Sequence, residues 1–391
     1  MAAPVLIGLV AGLIALAGIT GGDSAARTPG RAFLFGLPVF VAAGATILPF
    51  GAVWWSALAM ALVTVLGMWL AGRLADRVSV TQPAGAATTV AAARSAVAVL
   101  LAAIAVRWLA PLIAALAPVS AVTVAVVCIS AAVVAAVFGR GRLGLTRTVF
   151  IIAIVVAVLL LVIGVALGTP GRVFNPIVHL PGPGPLGALL GLIGALLAAL
   201  AHPGLAELGR TAPSSLLRGG IATALIGFAS LLGLAMFAGG SLAFPSLPIS
   251  VLAGYISFAP SIVGAIFAAL FAAVMTVVVA ASLEAALGSW SAFADDEPGG
   301  WFRFRPFALL IAGAGVLAVS LVPLSGGWIL GTAGVLGALV LLLSLRAGRR
   351  AGSKAGDSDA GESETGESDG QSDAATADAP AASSSSSAKQ D

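Results

Sequence analysis

Leu200-Ala201-His202-Pro203-Gly204-Leu205-Ala206-Glu207 interrupts a long apolar run, and its reading decides the fold. Proline has no backbone N–H and crowds the turn before it, while glycine lets a chain leave helical geometry. A Pro-Gly pair here predicts either a helix that ends at Pro203 or one that breaks and resumes. In a bilayer, freed backbone groups are tolerated only where protein or a cavity satisfies them. With a histidine just before the pair and a glutamate just after it, the interruption is a candidate site.

Around that stretch the composition is that of a membrane chain. Of 391 residues, 60% are hydrophobic and 9% charged, against about 25% charged in a soluble domain. A span needs about 20 apolar residues. The runs 4–20, 33–50, 52–72, 95–117, 119–138, 147–168, 185–203, 217–239, 260–283, 306–323 and 327–346 predict an all-α integral membrane protein of about eleven spans. The run 4–20 precedes its first basic residues, Arg27 and Arg31, the reverse of a secretory leader.

The same residues exclude several function classes. The basic side chains are scattered singly, with no aromatic-interleaved stripe, so no nucleic-acid partner is expected. The lone Cys128 can form no intrachain disulfide or cysteine metal site. His179 and His202, the only histidines, are too few for zinc or haem chemistry. No aspartate falls mid-span to supply the carboxylate pair of a metal-assisted or acid–base enzyme. The cluster Asp295-Asp296-Glu297 reads as a solvated turn before Pro298-Gly299-Gly300. The chain therefore reads as neither an enzyme nor a cofactor protein.

Arginine sets the orientation. Sixteen of the basic residues, from Arg27 and Arg31 to Arg350 and Lys354, fall in or beside one set of connections, and Arg107 and Arg172 in the other. The positive-inside rule then predicts a multi-pass protein of the cytoplasmic membrane, N-terminus outside and C-terminus cytoplasmic.

Gly168 to Pro185 is rich in glycine and proline and reads as an outer loop at 169–184. It divides the membrane part into a first five-helix repeat at 33–168 and a second at 185–350, with an extra N-terminal helix and inner loop at 1–32. The spacings Gly187-x3-Gly191 and Gly327-x3-Gly331 predict close helix packing. Residues 351–391 carry acidic side chains, a serine run at 383–387 and little apolar bulk beyond alanine. They predict a disordered cytoplasmic tail, either solubilising or the seat of a protein partner. A second weak point, Ala42-Ala43-Gly44-Ala45-Thr46-Ile47-Leu48-Pro49, lies in the first helix of the first repeat. Matching interruptions in two lead helices are the mark of an inverted-repeat transporter.

Ala206-Glu207-Leu208-Gly209-Arg210-Thr211-Ala212-Pro213 with Arg218-Gly219-Gly220-Ile221 resembles the sixth-helix end and following loop of amino acid–polyamine–organocation permeases. Gly44-Ala45-Thr46-Ile47-Leu48-Pro49 is similar to that family's unwound first-helix stretch. Trp69-Leu70-Ala71-Gly72-Arg73-Leu74-Ala75 with Pro83-Ala84-Gly85-Ala86 resembles its second-helix end. Arg73 replaces an acidic residue of the pattern, and Ala198, Ala199, Leu200 and Ala201 stand where its aromatics would be. The resemblance implies a leucine-transporter-like five-plus-five fold and alternating-access transport of an amino acid or similar small organic solute. It implies no cofactor beyond a coupling ion, H+ or Na+. Gly44, Ala45, Thr46, Ala201, His202 and Gly204 would contact the solute, with His202 and Glu207 as gate or coupling candidates. His202 is assigned alternatively to backbone freed by Pro203. The rival reading is a non-transporting membrane scaffold or regulatory subunit.

Overall fold

The computed structural model describes residues 7–14, 29–47, 53–78, 84–117, 119–138, 142–167, 185–237, 261–290, 300–324 and 326–360. Among them all regular structure is helical: α1 (7–14), α2 (Pro29–Ile47), α3 (Val53–Val78), α4 (Ala84–Leu116), α5 (Ala121–Phe138), α6 (Arg142–Leu167), α7 (Pro185–Ala201), α8 (Pro203–Thr211), α9 (Pro213–Phe237), α10 (Ser261–Gly288), α11 (Gly300–Leu321) and α12 (Gly326–Ala360). The chain divides into two compact units, Met1–Gly348 and Arg349–Asp391.

Eight of the helices are long and apolar enough to cross a membrane, and the α7–α8 pair, bent by 56°, makes a ninth candidate; α2 contributes a shorter apolar stretch, Gly30–Ala45. A helix closes its own backbone hydrogen bonds, which lipid requires. Buried hydroxyls are satisfied the same way. Thr64 donates to the Met60 carbonyl at 2.8 Å, Thr223 to Gly219 at 2.7 Å, Thr276 to Ala272 at 2.8 Å and Ser282 to Val278 at 2.9 Å.

The packing has the symmetry of a repeat. The lead helix of one half, α2, meets α7, the lead of the other; α3 meets α9, and α4 meets α10. Off-diagonal pairs come in matched sets: α2 with α9 and α3 with α7, α4 with α11 and α5 with α10. Each half thus buries against the other what it cannot bury alone. The fold is the expected five-plus-five arrangement, with part of the added N-terminal helix described as α1. That helix turns Ile7, Ala11 and Ile14 inward and leaves Leu9 and Leu13 exposed.

Close approach is where glycine matters. A Cβ at Gly334 would stand 2.8 Å from the Gly194 α-carbon, and one at Gly337 would collide with the Leu197 carbonyl, so α7 and α12 touch backbone to backbone. The expected spacing Gly327-x3-Gly331 names the right helix but the wrong face. Gly331 faces open space, while Leu330, Gly334 and Gly337 line the face that meets α7.

Two arginines cap helices across the bundle. Arg107 on α4 donates to the Val322 carbonyl just past α11 at 2.7 Å, and Arg305 at the start of α11 donates to Ala136 near the end of α5 at 3.2 Å. The terminal carbonyls of a helix carry partial negative charge and lack helical partners. Arg107 and Arg94 accordingly lie inside α4 rather than in connections. α4 begins at Ala84, earlier than the apolar run at 95, because its alanine-rich first turns are strong helix formers without being strongly apolar. α12 continues to Ala360, ten residues into the stretch expected to be disordered. The expectations for 15–28, 48–52, 168–184 and 361–391 fall outside the described residues.

Candidate functional site

His202 is the point where α7 stops and α8 begins. Its backbone is extended, at φ −64° and ψ 120°. Its N–H still reaches the Ala199 carbonyl at 3.2 Å, and its carbonyl accepts from Ala206 N–H at 3.1 Å. Pro203 occupies the first position of α8, where a missing N–H costs nothing. The interruption at Pro203-Gly204 is therefore a break with resumption rather than a helix end.

The His202 side chain is fully buried, and neither Nδ1 nor Nε2 has a hydrogen-bond partner. Apart from Nε of Arg94, these are the buried side-chain polar atoms left without one among the described residues. A neutral imidazole has one donor and one acceptor to satisfy, and each orphan costs about 1–3 kcal/mol. The reading of His202 as a partner for backbone freed by Pro203 is not what the ring does: it bonds no backbone group. Its neighbour is Phe35 on α2, with ring centroids 5.1 Å apart and planes at 45°.

Phe35 also defines the floor of the break. A Cβ at Gly204 would lie 2.6 Å from two of its ring carbons, so the second residue of α8 is a glycine, with the phenyl ring lying against it. Ala201 is buried beside the break. One turn before Phe35 on α2 and one turn after Gly204 on α8 comes charge: Arg31 Nη2 and Glu207 Oε1 are 3.3 Å apart, and the Arg31 guanidinium lies 6.0 Å from the Phe35 centroid. Among the described residues no group of three His, Cys, Asp or Glu side chains converges as a metal site.

Ala201, His202, Gly204 and Glu207 are thus gathered at one break. Gly44, Ala45 and Thr46 are not placed beside it. They stand nine or more residues beyond Phe35 on α2, about 14 Å along the helix, and α2 runs unbroken through them to Ile47. Gly44 is buried and Ala45 half-buried, near Gly326; Thr46 is helical. The weak point of α2 at the level of the break is Pro38, which cannot donate to the Leu34 carbonyl. Its signal, a proline inside an apolar run, was readable in the sequence. Phe35 and Arg31 had no such signal.

Among known proteins, no family model and no curated sequence matches the chain. A solved structure does: a Na+-coupled sialic acid symporter in a substrate-bound, outward-open state, at TM-score 0.58 and 12% identity, over 89% of this chain and 97% of that one. This chain has the fold of that symporter. At such identity the likeness concerns the backbone, and residue roles rest on the geometry above.

Proposed function

We propose that the protein is a secondary transporter that moves a small organic solute by alternating access, with the solute bound at the α7–α8 break. One observation carries the reading: His202, buried with both ring nitrogens unpaired, sits where a spanning helix breaks, in the fold of a symporter. A group that costs stability in this way is retained where a ligand supplies its partners. The break sets the C-terminal carbonyls of α7 beside the N-terminal N–H groups of α8. These carry partial charges of opposite sign, suited to the ammonium and carboxylate of an amino acid or a similar zwitterion. Ala201, His202 and Gly204 are the proposed contacts. Gly44, Ala45 and Thr46 are assigned to the path further along α2. Symport with H+ or Na+ follows the transport reading, and the arginine bias orients the chain with its C-terminus in the cytoplasm.

The rival is a non-transporting membrane scaffold, favoured by the Phe35 ring that fills the space against Gly204. Uptake of a labelled amino acid panel into proteoliposomes decides between them. Uptake that is saturable and lost in His202→Leu supports transport, and no uptake of any solute supports the scaffold.

A further inference from the structure

α6 and α9 run in parallel, and close contacts fix their register. A Cβ at Gly233 on α9 would stand 2.5 Å from the Leu160 carbonyl carbon, and one at Gly164 on α6 would stand 2.8 Å from the Gly233 carbonyl oxygen. Nearer the helix starts, α2 gives the same register from behind. Gly30 lies against Thr146 and Phe33 against Phe150 on α6, while Gly36 lies against Thr223 and Phe40 against Gly227 on α9. Both sets of contacts give α6 and α9 one offset, about 71 residues, at equal rise along neighbouring axes. Arg142, where α6 opens, is therefore level with Pro213, where α9 opens. By the same register Arg147 is level with Arg218, and Ile154 with Leu225.

These last four side chains are all exposed. Residues two turns apart share a helix face. At about 100° per residue, Arg147 and Ile154 fall on the edge of the exposed face of α6 that borders α9. Arg218 and Leu225 fall on the edge of the exposed face of α9 that borders α6. The seam between the two helices thus carries two cations at its start and apolar side chains roughly 10 Å deeper. Among the described residues neither arginine has a hydrogen-bond or ion-pair partner. Neither caps a helix terminus, as Arg107 and Arg305 do. Both lie near the starts of their helices, the end whose macrodipole favours an anion over a cation.

We propose that the start of the α6–α9 seam binds an anionic phospholipid, its headgroup phosphate between Arg147 and Arg218 and an acyl chain along Ile154 and Leu225. Charge complementarity and depth select this occupant. Helices in contact stand about 8–10 Å apart, so two arginines level with each other reach a single phosphate, which a guanidinium fork pairs bidentately. A soluble anion would leave the apolar part of the seam unused. A zwitterionic lipid would bring a further cation to two that already lack a partner. Under the arginine bias this end of both helices meets the cytoplasmic leaflet, whose anionic lipids attract basic residues. The site is independent of the transport reading, since none of its residues lies at the His202 break.

Native mass spectrometry of the full-length protein tests it. The protein is released from mixed micelles that hold equal amounts of phosphatidylglycerol and phosphatidylcholine with identical chains. The wild type should retain phosphatidylglycerol in preference to phosphatidylcholine. Arg147→Gln and Arg218→Gln should each reduce that preference about fivefold, the share of one basic residue near a lipid surface, and the double variant should abolish it. Arg218→Lys keeps the charge and should keep most of the preference. Arg73→Gln is the control: Arg73 is also exposed, but stands over Trp69 on α3, and its loss should change nothing. Inorganic phosphate in excess should not displace the lipid. Each variant is first shown to be monodisperse. Should the glutamine variants fail that check, Arg147→Met and Arg218→Met, which keep the apolar stem, take their place. Equal retention of the two lipids by the wild type would overturn the site. So would a preference that survives in the double variant, one that falls equally in Arg73→Gln, or displacement by phosphate.

Discussion

Phe35 and Gly204 share a space that no side chain could enter: a Cβ at 204 would stand 2.6 Å from ring carbons of Phe35. That contact joins α2 to α8 beside His202. It is the tightest side-chain seat at the break, and it explains why the residue after Pro203 is glycine.

Gly204→Ala is expected to destabilise the protein by about 1–3 kcal/mol, the usual cost of overpacking a well-filled core. Phe35→Leu in the same chain should return part of the loss, because the two positions compete for one volume. Thermal melting in detergent checks both. Equal melting of wild type and Gly204→Ala would mean that the ring does not lie where the structure places it.

His202→Leu separates a ligand-binding histidine from a structural one. Removing two unpaired ring nitrogens from an apolar setting relieves the cost of leaving them unmet, and leucine keeps much of the volume. The expected outcome is a melting temperature equal to or above that of wild type, with solute binding lost. A drop comparable to loss of a buried hydrogen bond, about 1–3 kcal/mol, would show that the imidazole has a partner within the fold.

The two glycines of α12 should behave oppositely. Gly337→Ala drives a methyl into the Leu197 carbonyl, which is backbone and cannot yield cheaply. Gly331→Ala meets nothing within 4 Å and gains about 1 kcal/mol of helix propensity. Expression and melting should fall for the first and hold or rise for the second. The reverse order would mean that α12 turns a different face to α7.

Arg107→Leu removes the donor to the Val322 carbonyl and should cost about 0.5–1.5 kcal/mol, the net worth of one hydrogen bond. Arg107→Lys keeps a cation near the α11 terminus and should recover part of it. Melting of the two variants side by side is the check, and Lys no better than Leu would assign the effect to packing of the guanidinium.

The order of helices and the break at Pro203-Gly204 were legible because both are local. An apolar run of spanning length and a residue pair that cannot continue a helix each carry their meaning in a few adjacent positions. Gly44 misled for the same reason. Glycine marks weakness in a helix only when nothing around it prefers helix, and Ala42, Ala43 and Ala45 do. Pro38 was the better local signal, since it removes a donor whatever its neighbours are. The Arg31–Glu207 pair spans 176 residues, and the seat of Phe35 on Gly204 depends on how α2 crosses α8. Such contacts are set by packing between the halves. Spacing along the chain does not encode them.

Solute binding at the His202 break is read by ligand-induced stabilisation of the purified protein across an amino acid panel, repeated for His202→Leu and for Gly331→Ala. A ligand at about a hundred times its Kd stabilises by roughly 2.7 kcal/mol, enough to move a melting curve by several degrees. At least one zwitterionic solute should shift the wild type and Gly331→Ala, and none should shift His202→Leu. A panel without any shift in the wild type, or a shift that survives intact in His202→Leu, would contradict it.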